Sequence, residues 1–89
     1  MNNEDKVRAT ILYNLRRKKV LGGVHTHFDT LKKGFPAHAK KDVKNVAKAL
    51  VKEQLLLTKP TSYGLQVSLN KEKLKEIDEF IMNILGFEF

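Results

Sequence analysis

Between Val43 and Leu69 the apolar residues change period, and that change constrains the fold more than any other feature of the chain. Val43, Val46, Ala47, Leu50 and Val51 fall at i, i+3, i+4, i+7 and i+8, which lines up only on one face of a helix. Leu65-Gln66-Val67-Ser68-Leu69 alternates apolar and polar, the period of a half-buried strand. Leu55 to Lys59 is also strand-like, and Pro60-Thr61-Ser62-Tyr63-Gly64 between them is rich in turn residues. Two strands joined by about five such residues form a β-hairpin. The order points to an α+β fold, mainly α, in which an amphipathic helix feeds directly into a hairpin.

Upstream, Val7, Ile11 and Leu15 with Leu12 mark a first helix from about Asn3 to Lys18. Asn3 is placed to cap it, and Glu4 and Asp5 suit the positive end of its dipole. Gly22-Gly23 ends the helical path. Val24 and His25 suit a very short strand. Thr26, with Asp29 three residues on, opens a second helix that turns Phe28 and Leu31 inward and ends at Gly34. Pro36 forces a corner, and the third helix follows from near His38 to about Glu53. Asn70 caps a last helix from Lys71 to about Leu85, closed by Gly86.

Charge separates the two ends of the chain. Of 89 residues, 17 are Lys or Arg and 10 are Asp or Glu, a net charge of +7. Residues 1–60 carry 14 basic and 5 acidic side chains, and residues 61–89 carry 3 and 5. A basic body suggests a polyanionic partner, nucleic acid first among them. The third helix concentrates this charge. Opposite its apolar stripe stand Lys40, Lys41, Lys44, Asn45, Lys48 and Lys52.

Other chemistries find less support. The chain has no Cys, hence no disulfide, thiolate zinc site or thiol nucleophile, which fits a reducing cytoplasm. His25, His27 and Asp29 lie close in sequence, but their spacing does not converge on a metal, and none is expected. Gly22-Gly23 lacks the strand–helix context of a nucleotide fingerprint, and no Ser-His-Asp arrangement can be built. A domain this small offers little room for a pocket. The expectation is a non-enzymatic protein with no cofactor and no small-molecule substrate. No apolar run approaches the ~18 residues of a membrane span, so no membrane partner is expected.

With the KGFP corner at Lys33–Pro36 and the KPTSYG loop at Lys59–Gly64, the run from Gly34 through Gly64 resembles small archaeal winged-helix proteins. The resemblance covers roughly residues 4–69. It implies a winged helix: a three-helix core with a helix-turn-helix, a β-hairpin wing and an extra C-terminal helix. It divides the chain into a DNA-binding domain at 1–69 and a C-terminal helix at 70–89. In that family the third helix enters the major groove, which is about 12 Å wide and admits one helix. The resemblance therefore places Lys40, Lys41, Lys44, Asn45 and Lys48 on double-stranded DNA. Asn45 suits base reading, since its amide can pair bidentately with adenine, and the lysines suit phosphates. It also implies a wing whose Lys59, Thr61, Ser62 and Tyr63 touch the minor groove or the flanking phosphates. For Tyr63 the alternative is a ring packed on the hairpin. Arg16, Arg17, Lys18 and Lys19 can reach phosphates, but they are also what a helix C-terminus prefers.

In the last helix Leu74, Ile77, Ile81 and Ile84 recur with 3, 4, 3 spacing, a heptad seam. It can pack on its own domain, against the first helix, or pair two copies as a homodimer. Phe87 and Phe89 beyond it add apolar surface at the end of the given sequence and favour the dimer. The function expected is a small DNA-binding transcriptional regulator. The alternatives are a protein-interaction module of a transcription or replication complex, or an RNA-binding module.

Overall fold

A computed structural model describes residues 3–86. It is an α+β fold, mainly helical, with three α-helices and one three-stranded antiparallel sheet. Helix α1 spans Asn3–Arg17, α2 Lys40–Lys52 and α3 Leu74–Leu85. Strands β1 (Thr26–His27), β2 (Leu56–Thr61) and β3 (Gly64–Leu69) form a sheet in the order β1-β3-β2. The cap expected from the Asn3 side chain, and Phe87 and Phe89, lie outside what is described.

The hairpin is tighter than its turn residues suggest. Thr61 pairs with Gly64, so only Ser62 and Tyr63 form the loop, and Pro60 lies within β2. Proline is tolerated there because β2 is an edge strand. Leu56, Val67 and Leu69 are buried and face the helices. Gly64 has φ +115°, a conformation that favours glycine, while a Cβ there would meet the His27 ring at 3.5 Å, an ordinary contact, so conformation rather than space selects glycine.

The second helix differs from expectation. Thr26 and His27 pair with Val67 and Gln66 as β1, two residues beyond the Val24-His25 strand read from the sequence. Only Phe28–Lys32 remains, and it forms a 3-10 helix. Five residues between a strand and a corner cannot establish an α-helical ladder, and 3-10 geometry suits such short pieces. Leu31 is buried and Phe28 packs partly on the core, as read. A further 3-10 turn, Ala37–Ala39, follows Pro36 and leads into α2.

Helices α1 and α2 end alike, without glycine. Lys19 (φ 57°) and Gln54 (φ 65°) adopt the left-handed conformation. Val20 N–H donates to Leu15 C=O at 2.9 Å and Lys19 N–H to Arg16 C=O at 3.1 Å. Leu55 N–H to Leu50 C=O and Gln54 N–H to Val51 C=O, both 3.0 Å, repeat the pattern. This is the Schellman motif, accompanied each time by a buried apolar pair, Leu15 with Val20 and Leu50 with Leu55. Helix α1 therefore stops ahead of Gly22-Gly23. Helix α3 ends as read, with Gly86 at φ 77° donating its N–H to Met82 C=O.

Helix α3 packs against α1. Ile77 and Ile81 are 0% exposed, covered entirely by their own chain, while Leu74 and Ile84 are half-buried. Half of the heptad seam thus belongs to the internal core, which corrects the assignment of Ile77 and Ile81 to a dimer surface. Arg16 Nε donates to Asp78 Oδ1 at 2.9 Å across the same interface. Arg8 donates twice to Glu53, at 2.8 and 2.7 Å, and its guanidinium lies 5.5 Å from the Phe80 ring centroid. One side chain of α1 thereby clamps the C-terminus of α2 and the face of α3.

The Arg8 hydrogen bonds hold the Glu53 carboxyl below its ordinary value, and Glu53 holds the Arg8 guanidinium above its own. A carboxyl depressed in the folded state contributes stability above its unfolded pKa and loses it as pH falls through the folded one. Glu53 is half exposed, so solvent screening limits the effect. Glu53→Gln is expected to cost about 0.5–1 kcal/mol at pH 7. Urea midpoints of the two proteins should converge in acid, below the ordinary carboxylate range. A gap that persists there shows that the carboxylate charge is not the source.

Candidate nucleic-acid interface

The sequence of α2 dictates a two-faced helix, and both faces are realised. Val43, Val46, Ala47 and Leu50 are buried. Lys40, Lys41, Lys44, Asn45, Lys48 and Lys52 are all exposed. None of these lysines takes part in a salt bridge among the described residues, so their charge is directed at solvent. Asp42 and Glu53 interrupt the basic face only on the side toward α1, where Glu53 meets Arg8.

The two edges of α2 differ. On one, Asn45 borders a cleft with Glu4, Val7, Asp42 and Val46. Two carboxylates beside it disfavour phosphate on that side. On the other, Lys44 and Lys48 overlook an open groove of roughly 380 Å³, completed by Val51, Thr58 of β2, Leu65 of β3 and Phe28. The structure thus brings Lys44 and Lys48 beside the hairpin and sets Asn45 on the opposite edge.

Of the hairpin residues, Lys59, Ser62 and Tyr63 are exposed. Tyr63 is 83% exposed, so its ring does not pack on the hairpin. Thr61 is committed elsewhere. Its hydroxyl donates to Gly64 C=O at 2.8 Å and accepts Tyr63 N–H at 3.2 Å, stapling the turn. Its hydroxyl proton is therefore already engaged, which weakens it as a phosphate donor and makes it the group that fixes the backbone of Tyr63.

The basic corner after α1 splits likewise. Arg16 is held by Asp78, whereas Arg17, Lys18 and Lys19 are exposed. His25 is half-buried, His27 faces Gly64 and His38 is exposed. No three metal-ligating side chains gather among the described residues, and no described helix is long and apolar enough to cross a membrane.

Sequence reasoning missed the groove beside Lys44 and Lys48. Leu65 shares the parity of Val67 and Leu69, which marks it for the core. It sits nearer the hairpin tip, in the open groove beside α2, and remains 41% exposed. Phe28 joins it from 37 positions away in the chain, a proximity no local pattern announces.

Comparison of the chain with known protein families, with curated proteins and with solved structures gives no match.

Proposed function

We propose that the protein binds double-stranded DNA in the manner of a winged helix and acts as a small transcriptional regulator. In this reading α2 enters the major groove and the β2–β3 hairpin lies on the adjoining backbone or minor groove. The observation that carries it is the continuity of Lys44 and Lys48 with the hairpin across one shared groove. Lys40, Lys41, Lys44 and Lys48 neutralise phosphates, and Lys59 and Ser62 extend the contact from the wing. Tyr63 is presented from the stapled turn. Asn45 reads a base edge only if the duplex reaches past α2 toward Asp42.

Titration of a fluorescent mixed-sequence duplex at several salt concentrations tests this. Anisotropy should give micromolar-range binding at low salt. The logarithm of the constant should fall linearly with log salt, by about 0.9 per phosphate engaged, with a slope corresponding to at least about four phosphates. No binding at low salt rejects the reading. Equal affinity for an RNA duplex, whose deep narrow major groove excludes a helix, rejects α2 insertion.

A further inference from the structure

The groove between α2 and the hairpin is built for more than phosphate. Its six lining residues are Phe28, Lys44, Lys48, Val51, Thr58 and Leu65. No carboxylate is among them, and the floor is three large apolar side chains, of which Leu65 is 41% exposed. B-form DNA has little to place against such a floor beyond thymine methyl groups. Water is a poor neighbour for it, since exposed Leu, Val and Phe surface costs about 25 cal/mol per Å² relative to burial. Lys44 and Lys48 stand one helical turn apart on the rim, the spacing at which a partner helix presents two carboxylates from one face.

We infer that this groove docks a short acidic protein segment carrying a large apolar anchor. The anchor occupies the floor formed by Phe28, Val51 and Leu65, and flanking Asp or Glu side chains meet Lys44 and Lys48. Charge complementarity commits the site to an acidic rather than a neutral partner. The apolar lining commits it to an anchored segment rather than a charge run alone. Such a segment and a duplex would both need Lys44 and Lys48, so the two bind in competition. The inference does not depend on DNA binding, because the groove stands whether or not a duplex is ever bound.

The test uses the full chain and three fluorescein-labelled synthetic peptides of 12 residues. The first carries Leu and Phe one helical turn apart among Glu residues. The second replaces both anchors with Ala. The third replaces Glu with Lys. Anisotropy should show binding of the first alone. Leu65→Thr, a strand-compatible change on an exposed site, should weaken it about five- to ten-fold, the fraction of a Leu burial it removes. Lys48→Gln should weaken it as well. Leu65→Thr should leave duplex affinity unchanged, and unlabelled anchored peptide should displace a bound duplex. Equal binding of the anchorless peptide, indifference to Leu65→Thr, or no peptide binding overturns the inference. Peptide binding without duplex binding upholds it and removes the DNA reading. Duplex binding without peptide binding does the reverse.

Discussion

Lys44→Gln and Lys48→Gln combined should lower affinity for a mixed-sequence duplex about 60-fold at 0.1 M salt. The figure follows from counterion release, since a slope of about −0.9 per phosphate is worth roughly eight-fold per contact at that concentration. The salt slope itself should flatten by nearly 2. Both side chains are exposed and neither carries a salt bridge among the described residues, so circular dichroism and the urea midpoint should not move. The control is Lys71→Gln with Lys75→Gln, two exposed lysines of the acidic end of the chain. It removes the same net charge but should change affinity by less than about two-fold, because neither lysine lies on α2 or the hairpin and exposed charges outside the contact are screened by salt. An equal loss in both variants would show that net charge alone is bound and that α2 has no special place.

Ile77→Ala should be strongly destabilising, as should the same truncation at Ile81, the other wholly buried residue of α3. Ile77 is wholly covered, against α1 and the common core, and truncating a buried Ile costs about 2–5 kcal/mol. A domain this small has roughly 5–10 kcal/mol in total, so the variant should be partly unfolded at 37 °C. The cost should be the same at 2 and at 200 µM protein, since the contact lies within one chain. A midpoint that climbs with concentration in the parent protein, and no longer does so in the variant, would return Ile77 to a dimer interface.

The parts of the fold legible in the sequence are those set by neighbours along the chain. The apolar stripe of α2, the hairpin and the Gly86 stop of α3 rest on residues within a turn or two, whereas burial along β3 does not alternate, with Ser68 buried and Leu65 exposed, and Asn70 caps a 3-10 turn at Lys71–Lys73 that precedes α3. The second helix was not legible in this way. Its first two residues are taken by β3, some 40 positions downstream, and local helix signals carry no information about that pairing. The ends of α1 and α2 were hidden differently, because Lys19 and Gln54 adopt a conformation usually left to glycine. The usable signal there is the i, i+5 apolar pair, Leu15 with Val20 and Leu50 with Leu55. For the candidate site, the lysine face could be read because a helix face is a local object. The commitment of the Thr61 hydroxyl and the meeting of Phe28 with Leu65 needed the folded hairpin.

The two helix ends have a mechanical consequence. Val20 C=O, just past α1, accepts Leu69 N–H at 2.8 Å, and Leu55 C=O, just past α2, accepts Asn70 N–H at 3.0 Å. Asn70 Nδ2 also donates to Gln54 C=O at 2.8 Å, and its Oδ1 accepts Glu72 N–H. The base of the hairpin is thus tied to the ends of both helices, and Asn70 also caps the 3-10 turn Lys71–Lys73 that leads into α3. These bonds tie the base of the β2–β3 hairpin to the end of α2 and so fix where the hairpin starts relative to the lysine face. A pre-set arrangement loses little conformational entropy when it closes on a partner. Under the DNA-binding reading proposed above, the protein would select by the width of what it grips, and a partner of another width would have to deform to fit.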